Sequence, residues 1–246
     1  MDSAVLRDDM VDSLEHEAKA VVTSERVGVA MREVPREPFV EDESAAYADR
    51  SFERLGTRVL SPSAAGRLLE ALAVQPGDDV LVVGVGVGYT AAVIAEITGE
   101  ANVHGVDIDR RLVSEARSNL ARAGYPGVLV DRRDGAYGLA EYAPFERILL
   151  EAAAVEPPAA LVEQLAPGGR LVMPLGTGGQ ELVALEGGER VAEFGTVAYH
   201  PMLVEGEQPD GVERNRTRRE DREHARRAAA RRKGWEHSWI DWEERI

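Results

Sequence analysis

The chain has 246 residues, enough for a sizeable core and most simply one domain with an appendage, and it carries 44 Asp and Glu against 29 Lys and Arg for a net charge of −15. It contains no cysteine, which excludes disulfides, thiolate metal sites and cysteine nucleophiles. No apolar run approaches the roughly 20 residues that cross a bilayer, and the N-terminus is acidic, so a soluble cytoplasmic protein with no membrane partner is expected.

Of the 29 basic residues 27 are arginine, the exceptions being Lys19 and Lys233. An acidic, lysine-poor surface suits a salt-rich (halophilic) cytoplasm, where salt screens the self-repulsion; ordinary acidic solubility is the alternative. Such a body repels nucleic acid unless a local patch reverses the sign.

In chain order, residues 1–30 read as a leading helical region, with Leu14, Ala18, Val21 and Val22 on one apolar face. The prolines of Met31-Arg-Glu-Val-Pro35-Arg-Glu-Pro-Phe39-Val stop helix and imply an ordered turn. A polar segment with Ala46-Tyr47-Ala-Asp49 leads to Gly56-Thr-Arg-Val-Leu-Ser61-Pro, and 63–72 has a helical pattern with Leu68, Leu69 and Leu72 inward. Strands are then expected at 79–83, 102–107, 127–131, 146–151, 170–174 and 181–185, with helices near 89–98, 110–123 and 157–165. This alternation implies a doubly wound, mostly parallel sheet covered by helices on both faces. Pro167-Gly-Gly169 reads as a turn into a late strand, and Gly187-Gly188 as the tip of an antiparallel edge hairpin.

The composition changes from about Glu205, so residues 1–206 are read as the main domain and 207–246 as a charged extension. Residues 212–233 hold ten Arg or Lys against four Asp or Glu, the pattern of an exposed charged helix. Trp235, Trp239 and Trp242 follow at helical spacing, which points to docking on the body or to a homodimer through this extension.

The segment most informative about function is Val80-Leu-Val-Val-Gly84-Val-Gly86-Val-Gly88-Tyr89. It reads as a buried strand, a glycine turn that admits a ligand close to the backbone, and a helix whose first amides point at that ligand. About twenty residues on, Val103-His-Gly-Val-Asp107 ends in an acid placed to accept hydrogen bonds from ribose hydroxyls, although a strand-end cap has the same residue type. Glycines at 84, 86 and 88 do not match the dinucleotide pattern G-x-G-x-x-G, and no phosphate-binding G-x-x-x-x-G-K-[ST] loop is present. A G-x-G-x-G turn followed by such an acid is the usual arrangement of S-adenosylmethionine-dependent methyltransferases.

From about Arg26 to Val204 the chain resembles the protein-L-isoaspartate O-methyltransferases. Four segments carry the likeness in order: Val34-Pro35-Arg36-Glu37-x-Phe39-Val40 with Ala46-Tyr47-x-Asp49; Val80 to Tyr89; Arg133-Asp134-Gly135-x-x-Gly138 with Ala143-Pro144-Phe145-Glu146; and Gln164-Leu-x-Pro-Gly168-Gly169-Arg170-Leu-Val-x-Pro174-x-Gly176. The resemblance implies a Rossmann-like repair enzyme with S-adenosyl-L-methionine as cofactor and damaged proteins or peptides as partners. Methyl transfer to the free carboxylate of an L-isoaspartyl residue gives an ester that collapses to a succinimide and reopens partly to aspartate.

The same resemblance implies residue roles. Gly84, Gly86 and Gly88 would line the methionine and ribose, Asp107 would take the ribose hydroxyls, and Ile108 would lie beside the adenine. Asp134, with the backbone of Gly135, would hold the adenine amino edge; a turn-forming Asx residue before glycine is the alternative for Asp134. Ser61 would hydrogen-bond the reacting carboxylate as the catalytic-side residue, where the alternative is a helix N-cap before Pro62. No metal site is expected.

The chain departs from the family pattern in two places. Val82 stands where a Glu is usual, and Arg58-Val59-Leu60-Ser61 replaces a Gln-Thr-Ile-Ser segment. Two further functions therefore stay open: a methyltransferase of this fold acting on a small molecule or RNA, and a non-catalytic cofactor-binding descendant. Against RNA, the basic extension lacks interleaved aromatics for base stacking.

Overall fold

The computed structural model describes residues 2–176 and 179–204. The proposed division at 206, the charged helix and the Trp235, Trp239 and Trp242 stripe lie outside the described residues.

The N-terminal region is two helices, α1 (Ser3–Glu15) and α2 (Glu25–Glu33), instead of one continuous apolar face. After Glu15 the chain doubles back, with the amides of Val21 and Val22 both donating to Leu14 O. Leu14 and Val22 are buried across this reversal while Ala18 is exposed. Two short 3-10 turns, at Glu37–Phe39 and Glu43–Ala45, lead to a hairpin of β1 (Phe52–Arg54) and β2 (Thr57–Val59). Its two-residue turn has positive φ at both Leu55 (50°) and Gly56 (81°), the geometry that matches strand twist.

Next come α3 (Pro62–Leu72), β3 (Val80–Val83), α4 (Tyr89–Thr98), β4 (Val103–Asp107), α5 (Arg110–Ala123), β5 (Leu129–Arg132) and β6 (Phe145–Leu150). The last described elements are α6 (Ala159–Glu163), β7 (Leu165–Leu175), β8 (Gln180–Glu186) and β9 (Glu189–Val197). The seven-stranded sheet runs β5-β4-β3-β6-β7-β8-β9, parallel from β5 to β7 and antiparallel at β8 and β9. The doubly wound, mostly parallel α/β fold expected from the alternation is present. Order reverses between β3 and β6, and that crevice is where open sheets of this type take ligands.

Strand side chains alternate between two cores. Val80 and Val82 of β3 pack into the core shared with α1 to α4, while Leu81 and Val83 pack with Ile148, Leu150, Leu171 and Leu161 on the other face. Both faces are covered, so β3 reads as a continuous apolar run. Pro167-Gly-Gly169 lies inside β7 and not before it: β6 advances from Phe145 to Arg147 while β7 advances from Leu165 to Arg170. The surplus is taken up as a bulge, and a Cβ on Gly169 would stand 2.9 Å from Phe145 O. Among the described residues no helix is long and apolar enough to cross a membrane.

Candidate active site

The site is built at the carboxyl end of β3. Gly84, Gly86 and Gly88 have φ of 76°, 55° and 96°, left-handed backbone that an L side chain strains to adopt. The turn is anchored to β4, since the amides of Gly84 and Val85 donate to Val106 O at 2.9 and 3.1 Å. Asn119 of α5, fully buried, donates through Nδ2 to Val87 O at 3.0 Å and holds the outer side. Gly88 starts α4 without a side-chain cap, which leaves the first helical amides directed at the crevice.

Asp107 closes β4 beside the turn. Its Oδ2 accepts from Gly86 N–H at 3.0 Å and its Oδ1 from Asp109 N–H at 2.9 Å. Burial raises its carboxyl to about 6, although these amides oppose the shift. Each oxygen keeps a lone pair that a ligand hydroxyl can use. Ile108 follows with intermediate exposure, its carbonyl accepting from Arg132 Nε.

Asp134 begins a 3-10 turn (Gly135–Tyr137), and its Oδ1 accepts from Ala136 N–H at 2.9 Å, an Asx-type bond. A Cβ on Gly135 would overlap Val83 Cγ1, so glycine lets this turn sit against β3. Ser61 stands at the N-cap of α3, where Oγ accepts from Ala64 N–H at 3.2 Å. The hydroxyl proton of Ser61 remains able to donate.

The β1–β2 hairpin brings Thr57, four residues before Ser61, to the glycine turn, with Thr57 Oγ1 4.0 Å from where a Cβ on Gly86 would lie. Arg58 Nη1 donates to Ala198 O at 3.2 Å, joining this segment to the chain after β9. The residues expected to bind cofactor and substrate thus come from separate segments around the carboxyl edge of β3 and β4.

Sequence reasoning missed two residues of this region. Arg36 is fully buried, donates from Nε to Ala46 O at 2.9 Å and from Nη2 to Leu60 O at 2.7 Å, and lies 4.4 Å from the Tyr89 ring centroid. It therefore holds the carbonyl next to Ser61 and the start of α4 together. Its place in Val34-Pro35-Arg36 was the available signal. The other is Glu151, one residue past β6, whose Oε1 accepts from Thr90 Oγ1. Burial pushes its carboxyl up to about 8. In sequence it reads as an ordinary acid at a strand end.

Among the described residues no cluster of His, Asp or Glu is arranged to hold a metal ion. The chemistry on offer is a glycine cradle at the uncapped start of α4, a ribose-ready carboxylate, a second acid and the Ser61 hydroxyl at the start of α3.

A family model described as protein-L-isoaspartate(D-aspartate) O-methyltransferase matches residues 6–203. A protein-L-isoaspartate O-methyltransferase of Aeropyrum pernix is 46% identical over 173 residues, 68% of this chain and 66% of that protein. The Roseobacter denitrificans protein of the same name is 37% identical over 201 residues, 77% of this chain and 92% of its own length. The fold is similar to a crystal structure from Plasmodium falciparum, described as a putative protein-L-isoaspartate O-methyltransferase in complex with S-adenosyl-L-homocysteine (TM-score 0.72, 20% identity, 80% of this chain and 98% of that one).

Proposed function

This chain belongs to the protein-L-isoaspartate(D-aspartate) O-methyltransferase family, and we propose that it methylates the free carboxylate of L-isoaspartyl residues in damaged proteins, with S-adenosyl-L-methionine as cofactor. The observation that carries this reading is the tie between Gly86 and Asp107 across a positive-φ glycine turn, with Thr57 of the β1–β2 hairpin beside it. The residues fit the cofactor: a Cβ-free cradle, free helix amides and an acid whose two oxygens are pre-oriented by backbone N–H groups.

When bound, S-adenosylmethionine supplies a methyl group already activated on a sulfonium. Asp107 would hold the ribose hydroxyls, and Gly84, Gly86 and Gly88 would line the ribose and methionine. Ile108, Asp134 and the Gly135 backbone would bound the adenine. Ser61 would donate its hydroxyl proton to the substrate carboxylate while its oxygen keeps the Ala64 N–H bond. A carboxylate is ionised and nucleophilic at neutral pH, so the site needs no general base. Its task is orientation and exclusion of water, work suited to the Arg36-braced Leu60–Ser61 segment. Arg58, with one guanidinium bond to Ala198 O, keeps donors for an acidic substrate.

We also place the protein in a salt-rich cytoplasm, on its charge of −15 and two lysines, and leave the basic extension as a dimer contact. The test is transfer of labelled methyl to an isoaspartyl peptide in high salt, beside the aspartyl peptide. Base-labile label on the isoaspartyl peptide alone is expected. Absence of label, with cofactor binding measured separately, overturns isoaspartyl repair and directs attention to another acceptor.

A further inference from the structure

The end of β3 is flanked by two acids. Asp107 stands on the β4 side, satisfied by two backbone amides. Glu151 stands on the β6 side, its amide donating to Val83 O at 2.9 Å and its carbonyl carbon 3.8 Å from where a Cβ on Gly84 would lie. Together they bracket the glycine turn at the switch point of the sheet.

The surroundings of Glu151 differ from those of Asp107. Its carboxylate takes one hydrogen bond, from the Thr90 hydroxyl of α4. The charged group acting on it is Asp107, another acid. Tyr199, after β9, is within electrostatic reach of Glu151, Arg67 and Arg58. Among the described residues no cation offsets the Glu151 carboxylate. A carboxylate so placed holds its proton unless a positive charge arrives. Glu151 nevertheless retains intermediate exposure, so part of it faces open space.

We propose that Glu151 is the anionic partner of the positively charged methionyl half of the cofactor, and that it gives up its proton when that half binds. The inference rests on the methyl-transfer function proposed above. It follows from position: Asp107 serves the ribose on one side of the turn, and Glu151 is the acid on the opposite side. The proton leaves to solvent, and the carboxylate–cation pair replaces the neutral acid. Thr90 then acts as a positioning residue, fixing one oxygen of the carboxylate through its hydroxyl.

Calorimetric binding of S-adenosylmethionine, run from pH 6 to 9 and in two buffers of different ionisation enthalpy, tests this without turnover. The parent protein is expected to release up to about one proton at pH 7 and to gain about tenfold in affinity towards pH 9, the response of one carboxyl titrating near 8. Glu151→Gln keeps the acceptor for Thr90 but has no proton to lose, so the carboxyl's share of both effects should vanish. The amino group of the ligand titrates in the same range, and the difference between the two proteins removes it. Thr90→Val strips a bond that favours the anion, so its affinity profile should move to higher pH, which gives a second reading should Glu151→Gln fold poorly. Parent and Glu151→Gln profiles that coincide, with cofactor bound, overturn the role of Glu151 alone. Absence of cofactor binding by the parent at every pH overturns the methyl-transfer function as well.

Discussion

Asp107 illustrates how a single side chain serves both fold and ligand. Its oxygens accept from Gly86 and Asp109 amides, which sets the turn, while burial makes the ionised form costly. Replacing it with Asn removes the charge and one backbone acceptor together. Relief of the buried charge and the orphaned backbone N–H oppose each other, so the melting temperature should change little. Cofactor affinity should fall by about tenfold or more, because a well-oriented acceptor for a ligand hydroxyl contributes on the order of 1–3 kcal/mol. Calorimetry and a thermal melt on Asp107→Asn separate the two effects; unchanged affinity would remove the ribose-binding role. The sequence pattern singled out Asp107, since an acid ending the second strand has a place in the α/β logic. It did not single out Glu151, whose significance comes from what surrounds it: Thr90 from α4, Asp107 from β4 and, among the described residues, no cation.

Between elements, the seams are made by a few polar side chains reaching across chain reversals. Glu70 on α3 accepts from Thr23 N–H, Thr23 Oγ1, Ser24 N–H and Ser24 Oγ, at 3.2, 2.9, 3.0 and 2.7 Å. Ser24 is the N-cap of α2, so one carboxylate seats the start of that helix on α3. Glu70→Ala should cost about 1–3 kcal/mol, and Glu70→Gln, which keeps an acceptor, distinctly less. Denaturant melts of both variants measure this; equal losses would show that the whole contribution lies in the ionised carboxylate and none in the volume or single acceptor that Gln retains. This seam also marks where the sequence stopped being legible. The strand 80–83 is a continuous apolar run bounded by turn residues, and 103–107 and 145–150 are short segments rich in β-formers between helical patterns, so their place survives translation into structure. The break between α1 and α2 has no such mark: the left-handed residue there is Ala20, φ 44°, with no glycine or proline nearby. Strands β1 and β2 have three residues each, too short for an alternation, and Gly56 was their local signal. Pro167-Gly-Gly169 has the chemistry of a turn and serves as a bulge, because the register between β6 and β7 is set by long-range pairing.

At the scale of the whole molecule, two electrostatic effects have the same sign and must be separated. A net charge of −15 favours expansion, and protonating carboxylates relieves it. Glu151 and Asp107 add a local effect, with carboxyls raised to about 8 and about 6 from ordinary values of 4.5 and 3.8. Between each ordinary value and its raised one, the folded state binds a proton that the unfolded state does not. By linkage, the stability tied to Glu151 is therefore greatest below pH 4.5 and is lost as pH rises to about 8. Glu15, Asp49 and Asp109 shift the opposite way, and their stability is lost only as pH falls below the ordinary carboxylate range. Salt distinguishes the long-range term, since raising ionic strength from 0.1 to 1 M shortens the screening length from about 10 to about 3 Å. Adding salt at pH 7 should thus raise the melting temperature of the cofactor-free protein, because the excess of acids outweighs the surface arginine pairs that salt weakens. In high salt the remaining rise in melting temperature from pH 8 to pH 5 belongs largely to the buried acids. Glu151→Gln should remove most of it, a difference of roughly 5–10 °C if the local effect amounts to a few kcal/mol in a domain of this size. Parallel pH curves for the two proteins in high salt would mean that Glu151 is ionised in the cofactor-free protein, and that net charge alone governs the acid side of the stability curve.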